Sequence, residues 1–480
     1  MAATFTRADI LAATGGALVQ RGCWDAFCGV STDSRTTQTS QLFIPLSGER
    51  HDGHAFIPKA LQRGARGVLV EDGYVGQAPS PVRGQPGVAV LHPMPREITV
   101  IAVRDTLTAL GDLAHAWRRG FAGPVVAVTG SCGKTTTKEM AAQVLSQSYR
   151  VHKNALNLNN LIGLPLTLLE LEPGFEAAVV EMGMNRFGEI QRLTQIAAPS
   201  IGVLTNIYGA HTEGVGDVAG VARAKGEIIS ALDREARLVY NVDDPWIAGL
   251  ARNFRGQALS FGLQPGAALR AGERRPQGSR GQSAMLSYQG QSWELSLPAA
   301  GEHMLYNALA ATAVGLALGL DPLVTAAALA QFRPIHRRSQ VVTLPSGVHL
   351  LNDCYNANPG SMAMALKTLM ELRDHGQTAA ALGDMLELGD AAAREHRNLG
   401  RLAARAGLDY LVIYGNFRLE VAAGAREAGL AAARIFPISR LADGARVLQE
   451  LLEPADWLLV KGSRSMHMEG LIDLLEETHM

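Results

Sequence analysis

The stretch Val125-Val126-Ala127-Val128-Thr129-Gly130-Ser131-Cys132-Gly133-Lys134-Thr135-Thr136-Thr137 constrains the fold of this chain more than any other. Four apolar residues read as a short buried strand. A turn with two glycines follows, then Lys-Thr, then a helical pattern that sets Met140, Ala141, Val144 and Leu145 on one face. Strand, glycine turn and helix in that order predict a phosphate-binding loop. Gly130 and Gly133 let backbone N–H groups turn inward around a polyphosphate, and the helix N-terminus adds partial positive charge. Lys134 then reaches the β- and γ-phosphates, and the Thr135 hydroxyl is placed for Mg²⁺. The general pattern G-x-x-x-x-G-K-[ST] asks for glycine where this chain has Val128. A chance Lys-Thr after a glycine turn would not come with both the strand and the helix.

The chain has 480 residues, more than one ordinary core organises, so about two to four domains are expected. A formal net charge of -1 and the lack of a long basic run argue against nucleic acid as the main partner. No run is apolar and long enough to span a bilayer, and Met1 to Arg7 does not read as a signal peptide. Cys23, Cys28, Cys132 and Cys354 show neither zinc spacing nor a disulfide framework, which points to a reducing cytoplasm. Cys132 reads as a small loop residue rather than a reactive thiolate.

Residues 1 to about 102 read as a small α/β domain: a short helix over Ala8 to Thr14, the apolar run Leu42 to Leu46, a helix to Arg63 and a strand over Gly67 to Val70. Residues 73 to 96, rich in Pro and Gly, read as loop. Asp33-Ser34-Arg35 has the chemistry to hold a phosphorylated ligand, although such triplets are commonly solvated turns. His51 and His54 are metal-ligand types in a segment that also reads as a structural turn.

The second region opens with a helix from Asp105 to Arg119. After the phosphate loop come Asn154, Asn157, Asn159 and Asn160, uncharged hydrogen-bonding groups suited to a polar substrate or to an ordered loop. Strands at Ala177 to Val180 and Ile201 to Leu204 lead into Glu181 and, further on, His211. Ligands of open α/β sheets bind beyond the carboxyl ends of strands, so both are candidate Mg²⁺ ligands. Position alone does not separate that role from structural hydrogen bonding. Lys225, in a helical pattern, reads as a surface lysine. Residues 262 to 298 read as a small antiparallel appendage, and Glu302 to Leu318 as a helix containing Asn307.

Beyond Phe332-Arg333-Pro334 the strand–helix rhythm restarts, which predicts a third domain with its own parallel sheet. Strands at Leu350 to Leu351, Ala379 to Leu382, Leu411 to Tyr414 and Trp457 to Val460 end in Asn352-Asp353, Gly383-Asp384, Gly415-Asn416 and Lys461-Gly462-Ser463-Arg464. Asn358 caps the next helix, with Pro359 at its first position. Polar residues therefore gather at one edge of this sheet too.

Together these stretches resemble the Mur ligases, the ATP-dependent amide-forming enzymes of peptidoglycan synthesis. The residues that carry the resemblance begin with Thr129 to Thr135, Asn157-Leu158-Asn159-Asn160, Glu181-Met182-Gly183-Met184-Asn185 and Ala210-His211. They continue with Ala224 to Ile228, Asn307-Ala308-Leu309-Ala310-Ala311, Asn352 to Pro359, Leu382 to Gly389 and Lys461 to Arg464. The match runs from Ser31 to Arg464. It is strongest to the branch that adds D-alanyl-D-alanine to a UDP-muramyl tripeptide. Arg337 departs from it, standing where a glycine usually precedes the arginine matched by Arg338, and Cys132 is a less usual loop residue.

The resemblance implies an α/β fold of three domains: a small UDP-binding domain (1–102), a central phosphate-loop ATPase with a mostly parallel sheet (103–332), and a Rossmann-like domain (333–480). It implies that Gly130, Ser131, Cys132, Gly133, Lys134, Thr135 and Thr136 hold ATP, with Asn307 on adenine and Arg338 and Asp353 on the rest. Thr135, Glu181 and His211 would serve two Mg²⁺ ions, joined by Lys225 if CO₂ carbamylates its amine. Ser34, Arg35, Asn157, Asn159 and Asn160 would meet the UDP-peptide. It also implies a monomer in the bacterial cytoplasm. Two rival readings are a sister ligase (folylpolyglutamate synthase or the diamino-acid-adding Mur enzyme), against which Asn356 to Pro359 and Leu382 to Gly389 argue, and a scaffold that binds ATP without ligation.

Overall fold

The structure, a computed structural model, describes residues 3–48, 52–72, 74, 94–155, 157–210 and 212–477. The chain forms two compact units. One comprises Met1–Ala127, Tyr149–Met182 and Gln191–Pro199; the other comprises Val128–Ser148, Gly183–Ile190 and Ser200–Met480. The expected residues His51, Gly73 and His211, and the greater part of the expected loop (75–93), lie outside the described residues.

In the first unit a five-stranded sheet runs Ala17–Gln20, Thr99–Val103, Gly67–Glu71, Leu42–Phe43, Val30–Ser31. Its pairings are parallel except that of Ala17–Gln20. The unbroken apolar run Gly67 to Val70 is buried throughout, as a parallel strand covered on both faces requires. Helix Arg7–Thr14 opens on a capping box between Thr6 and Asp9 and ends at Gly15, whose φ of 63° is left-handed backbone that glycine adopts without strain. Asp105 caps helix Thr106–Arg119 by accepting from the Thr108 N–H at 2.6 Å. Strands Val151–Lys153 and Ala177–Glu181 pair in parallel in the same unit.

In the second unit strands Ile201–Leu204, Arg237–Asn241, Gln257–Gly262 and Leu269–Pro276 pair successively in parallel. Gln282–Tyr288 and Gln291–Leu297 then add antiparallel. The antiparallel strands expected between 262 and 298 are therefore an extension of the main sheet rather than an appendage, because Leu269–Pro276 joins Gln257–Gly262 through its backbone.

A six-stranded sheet completes this unit, in the order Gln340–Thr343, His349–Asn352, Trp457–Lys461, Thr378–Gly383, Tyr410–Tyr414, Ile435–Ile438. Five strands are parallel, and Gln340–Thr343 adds antiparallel at one edge. Alternate residues feed two apolar layers. Leu351, Ala380, Leu382, Leu411, Ile413 and Leu459 enter one, and Leu350, Ala379, Ala381, Val412, Leu458 and Val460 enter the other. Both faces are thus covered, as in doubly wound folds. Asn358 caps helix Pro359–Leu372 in a capping box with Ser361. The carboxyl ends of His349–Asn352, Trp457–Lys461 and Thr378–Gly383 lie side by side, which collects Asp353, Lys461 and Asp384 at one edge.

Candidate active site

The strand Val125–Thr129 is buried over all five residues and releases the chain into the loop at Gly130. Gly130 has φ 153° and Gly133 φ 78°. A Cβ on Gly130 would lie 1.9 Å from Thr205 Oγ1, and one on Gly133 would lie 2.3 Å from Asn307 Oδ1, so the neighbours have closed onto backbone that only glycine provides. The segment after Ile201–Leu204 clamps the loop. Ser131 N donates to Asn206 O at 2.9 Å, and Cys132 N donates to Asn206 Oδ1 at 2.8 Å. Thr205 Oγ1 and Asn206 Nδ2 both donate to Cys132 O, at 2.8 and 3.1 Å. Ser131 Oγ donates to Tyr208 O and accepts from Tyr208 N. These bonds hold Ser131 and Cys132 from outside the loop.

Helix Lys134–Leu145 starts at Gly133 and packs Met140, Ala141, Ala142, Val144 and Leu145 into the core. Thr135 and Thr136 are buried in its first turn. Lys134 curls back so that Nζ donates to Gly130 O at 2.9 Å and lies 3.5 Å from Ser131 O. Those carbonyls hold the ammonium at the mouth of the loop, where an anionic phosphate is a stronger acceptor. Asn307 is 4% exposed; its Oδ1 lies beside Gly133 and accepts from Thr137 Oγ1 at 3.2 Å. Burial raises the pKa of the Cys132 thiol, opposed by its bond to Asn358 and by the charges of Lys134, Lys461 and Lys225. Three lysines therefore act on one point of the loop, while the thiol itself stays protonated. Lys225 is 0% exposed in helix Val218–Ala231, contrary to the surface position expected of a lone helical lysine.

The polar edge of the six-stranded sheet meets this loop within the same unit. Cys132 Sγ donates to Asn358 Oδ1 at 3.3 Å. A Cβ on Gly360 would lie 2.4 Å from Tyr208 Cγ, so the first turn of helix Pro359–Leu372 sits against the Tyr208 ring. Lys461, 2% exposed, donates to Asp353 Oδ2 and, at 2.9 Å, to Asn356 O. Ser339 N donates to Asp353 Oδ1 at 2.8 Å, and His303 Nε2 lies 3.0 Å from Ser339 Oγ. The Arg338 guanidinium lies 3.9 Å from the Tyr355 ring centroid, a cation–π contact. Arg337 and Ser339 have φ of 63° and 47°, at about 1–2 kcal/mol each for side-chain-bearing residues.

In the other unit Glu181 is 2% exposed. Its N–H donates to Asn154 Oδ1, and its Oε1 accepts from Asn159 Nδ2 at 2.7 Å. Asn160 Oδ1 instead accepts from Ile162 N and Gly163 N, which ties it to the turn before helix Gly163–Leu169. Asn157 is exposed. Ser34 is buried, whereas Arg35 is exposed and paired with Asp33, whose carboxyl is pulled down to about 2 by that guanidinium and the Arg35 backbone N–H. His54 is buried between Asp52, Glu71 N and Tyr74, which makes it a structural turn residue.

Three family models match consecutive parts of the chain: the Mur ligase family, catalytic domain over 27–118; the Mur ligase middle domain over 128–315; and the Mur ligase, glutamate ligase domain over 337–464. UDP-N-acetylmuramoyl-tripeptide–D-alanyl-D-alanine ligase of Bacillus subtilis (strain 168) is 35% identical over 449 residues, 93% of each chain. The chain belongs to the Mur ligase family. Two solved Mur ligases share its structure. MurF from Acinetobacter baumannii superposes with a TM-score of 0.88 at 30% identity, covering 99% of both chains. MurF from Thermotoga maritima, in complex with ADP, superposes at 0.77 and 27% identity, covering 93% of this chain and 97% of that one.

Against the Mur ligase pattern, Arg337 now has a physical reading. Its φ of 63° is the conformation glycine takes freely, and an ion pair from Arg337 Nη1 to Glu469 at 3.1 Å holds the strained residue in place. Sequence reasoning missed Thr205, Asn206 and Tyr208 as the clamp on the loop, and His303 and Ser339 as supports of Asp353. The clamp had a signal, a Thr-Asn pair leaving a buried strand; the supports had none at short range.

Proposed function

We infer that this Mur ligase joins D-alanyl-D-alanine to UDP-N-acetylmuramoyl tripeptide, forming UDP-N-acetylmuramoyl pentapeptide, ADP and phosphate. One observation carries the reading: the phosphate loop and the polar edge of the second sheet are brought together at Cys132 and Asn358. A γ-phosphate held by the loop then lies beside a second set of polar groups able to hold an acceptor. We assign the domains as 1–102, 103–332 and 333–480, with UDP on the first, ATP on the second and the dipeptide on the third.

A carboxylate does not condense with an amine in water, because oxide is a poor leaving group. Attack of a tripeptide carboxylate oxygen on the γ-phosphorus breaks the bond to ADP and makes an acyl phosphate. The dipeptide amine then adds to the carbonyl carbon, loses its proton, and the tetrahedral intermediate expels phosphate. Gly130 to Thr136 orient the triphosphate, and Lys134 exchanges its loop carbonyls for phosphate oxygens as negative charge shifts. Asn307 holds adenine, and Arg338 and Asp353 contact the rest of ATP; Ser34, Arg35, Asn157, Asn159 and Asn160 receive the UDP-peptide. Enclosure keeps water from the acyl phosphate.

Mg²⁺, when bound, neutralises charge on the transferring group. It characteristically takes one or two protein oxygens together with substrate phosphates. Thr135 and Glu181 each carry an oxygen of that kind. His211 is assigned here by resemblance. We further propose that Lys225 is carbamylated. Its neutral amine adds to CO₂ with loss of a proton, giving a carboxylate-like anion that suits Mg²⁺. Its complete burial favours this over an ordinary surface role. Native mass analysis under CO₂ should show the added mass, lost in Lys225→Ala; an unmodified lysine in the active enzyme overturns it.

The activity is tested by following ADP and phosphate against a panel of UDP-muramyl peptides and amines. Release that needs both the tripeptide and D-alanyl-D-alanine supports the assignment. Release with a diamino acid, or without an amine, overturns it.

A further inference from the structure

We propose that His303 is a positioning residue for nucleotide use, fixing Asp353 through Ser339 and tying that carboxylate to the phosphate loop through the helix that His303 shares with Asn307. The proposal rests on the reading that Asp353 contacts the nucleotide.

His303 and Asn307 stand four apart on helix Glu302–Ala317, hence on one face. Asn307 reaches the loop at Gly133 and Thr137. His303 reaches the other way, with Nε2 3.0 Å from Ser339 Oγ. The proton inventory fixes the direction of this chain. Asp353 Oδ1 accepts from Ser339 N at 2.8 Å and lies 3.4 Å from Ser339 Oγ, while Lys461 Nζ donates to Oδ2. An ionised carboxylate only accepts, so the serine hydroxyl points its proton at Asp353 and receives one from the imidazole. His303 is thus assigned as the neutral tautomer protonated on Nε2. Crowding by protein depresses its pKa to about 4, which keeps it neutral at working pH.

Two features show that this geometry is held rather than incidental. Ser339 keeps a φ of 47°, a strained value that persists only where the surroundings over-determine it, and its two bonds to Asp353 and its contact with His303 are those surroundings. The imidazole also has a fitted seat. A Cβ on Gly301 would lie 2.7 Å from His303 Cε1 and 2.4 Å from Thr368 Oγ1. Other contacts between residues 128–332 and 333–480 include polar pairs, Arg274 with Glu371, Lys367 with Glu302 and Thr212 Oγ1 with Leu388 O, and apolar ones, at Ala300 and the Tyr208 ring. Helix Glu302–Ala317 thus carries one contact to the loop, at Asn307, and one toward Asp353, from His303 through Ser339.

Steady-state kinetics and ADP titration on the full chain test this, with His303→Leu, His303→Gln, Ser339→Ala, the His303→Leu/Ser339→Ala double variant and Asp353→Asn. His303→Leu and Ser339→Ala should each raise KM for ATP and Kd for ADP about tenfold, with KM for the UDP-peptide within about twofold. The double variant should be no worse than either single, because both cut the same chain. His303→Gln, which keeps an N–H near the Nε2 position, should stay within about threefold of wild type. If His303→Leu does not fold, Ser339→Ala and Asp353→Asn carry the test. A raised KM for ATP in Asp353→Asn with none in Ser339→Ala overturns the relay and leaves the reading of Asp353 intact. An unchanged KM in Asp353→Asn overturns that reading and the relay with it. Multiplying effects in the double variant also overturn the relay.

Discussion

Gly133→Ala is the substitution that most sharply tests the architecture of the phosphate loop. The backbone there has φ 78°, which costs an alanine about 1–2 kcal/mol. The new Cβ would lie 2.3 Å from Asn307 Oδ1, so the buried amide must move and give up the hydrogen bond from Thr137 Oγ1, worth about 1 kcal/mol. Overpacking adds about 1–3 kcal/mol. The sum, about 3–6 kcal/mol, is a large share of a domain's stability. It will be shared between unfolding and distortion of the loop. Expressed in the loop alone, the lower bound weakens nucleotide binding about 100-fold. Calorimetric titration with ADP and a thermal melt measure the two shares. Gly188→Ala is the control: its φ of 86° carries the same backbone cost, but no atom lies within 4 Å of its Cβ. Adding Asn307→Ala to Gly133→Ala should recover part of the lost stability, because the clash is gone. ADP affinity within about threefold of wild type and an unchanged melt in Gly133→Ala would refute the reasoning, as would equal losses in Gly188→Ala.

Three further outcomes are expected. Lys134→Ala should collapse kcat while leaving UDP-peptide binding intact, since its charge matters most as the γ-phosphoryl transfers; turnover within a few-fold of wild type would contradict this. His303, with a folded pKa of about 4 against an ordinary 6.5, favours the fold when neutral. Its contribution is complete above about pH 6.5 and falls as pH drops toward 4, a slope that His303→Gln should flatten in urea melts. Arg274, Asp353, Glu371 and Lys461 are the charged groups around it, and all four are present in both proteins, so the comparison isolates His303. Iodoacetamide followed by peptide mapping should label exposed Cys23 and Cys28 before buried Cys132 and Cys354, and Cys132→Ser, which keeps a donor toward Asn358, should stay within a few-fold of wild-type activity. Early labelling of Cys132 would show a thiolate that burial does not suppress.

The loop, its helix and the Asn358 cap were legible because they rest on neighbours in sequence: apolar runs, two glycines, and Asn-Pro before a helical pattern. The edge strand Ile435–Ile438 was not, because Pro437 within it removes a ladder donor and reads as a break, tolerated only at the edge where this strand lies. Gln340–Thr343, half-exposed and antiparallel, likewise carries no apolar run. The burial of Lys225 was hidden because one lysine in a helical pattern looks the same whether it faces solvent or the core. Asn307 was found only through its motif, since its contact with Thr137 spans 170 residues. The relay from His303 to Asp353 joins residues whose identities say nothing of each other until the chain has folded.

The central claim is that the γ-phosphoryl group passes to the substrate carboxylate. It is tested most directly by running one turnover with UDP-muramyl tripeptide labelled with ¹⁸O in the terminal carboxylate, with ATP and D-alanyl-D-alanine, and resolving the released phosphate by ³¹P NMR. The acyl-phosphate route predicts that each phosphate carries one ¹⁸O from the carboxylate. Unlabelled phosphate formed in step with the pentapeptide would contradict it.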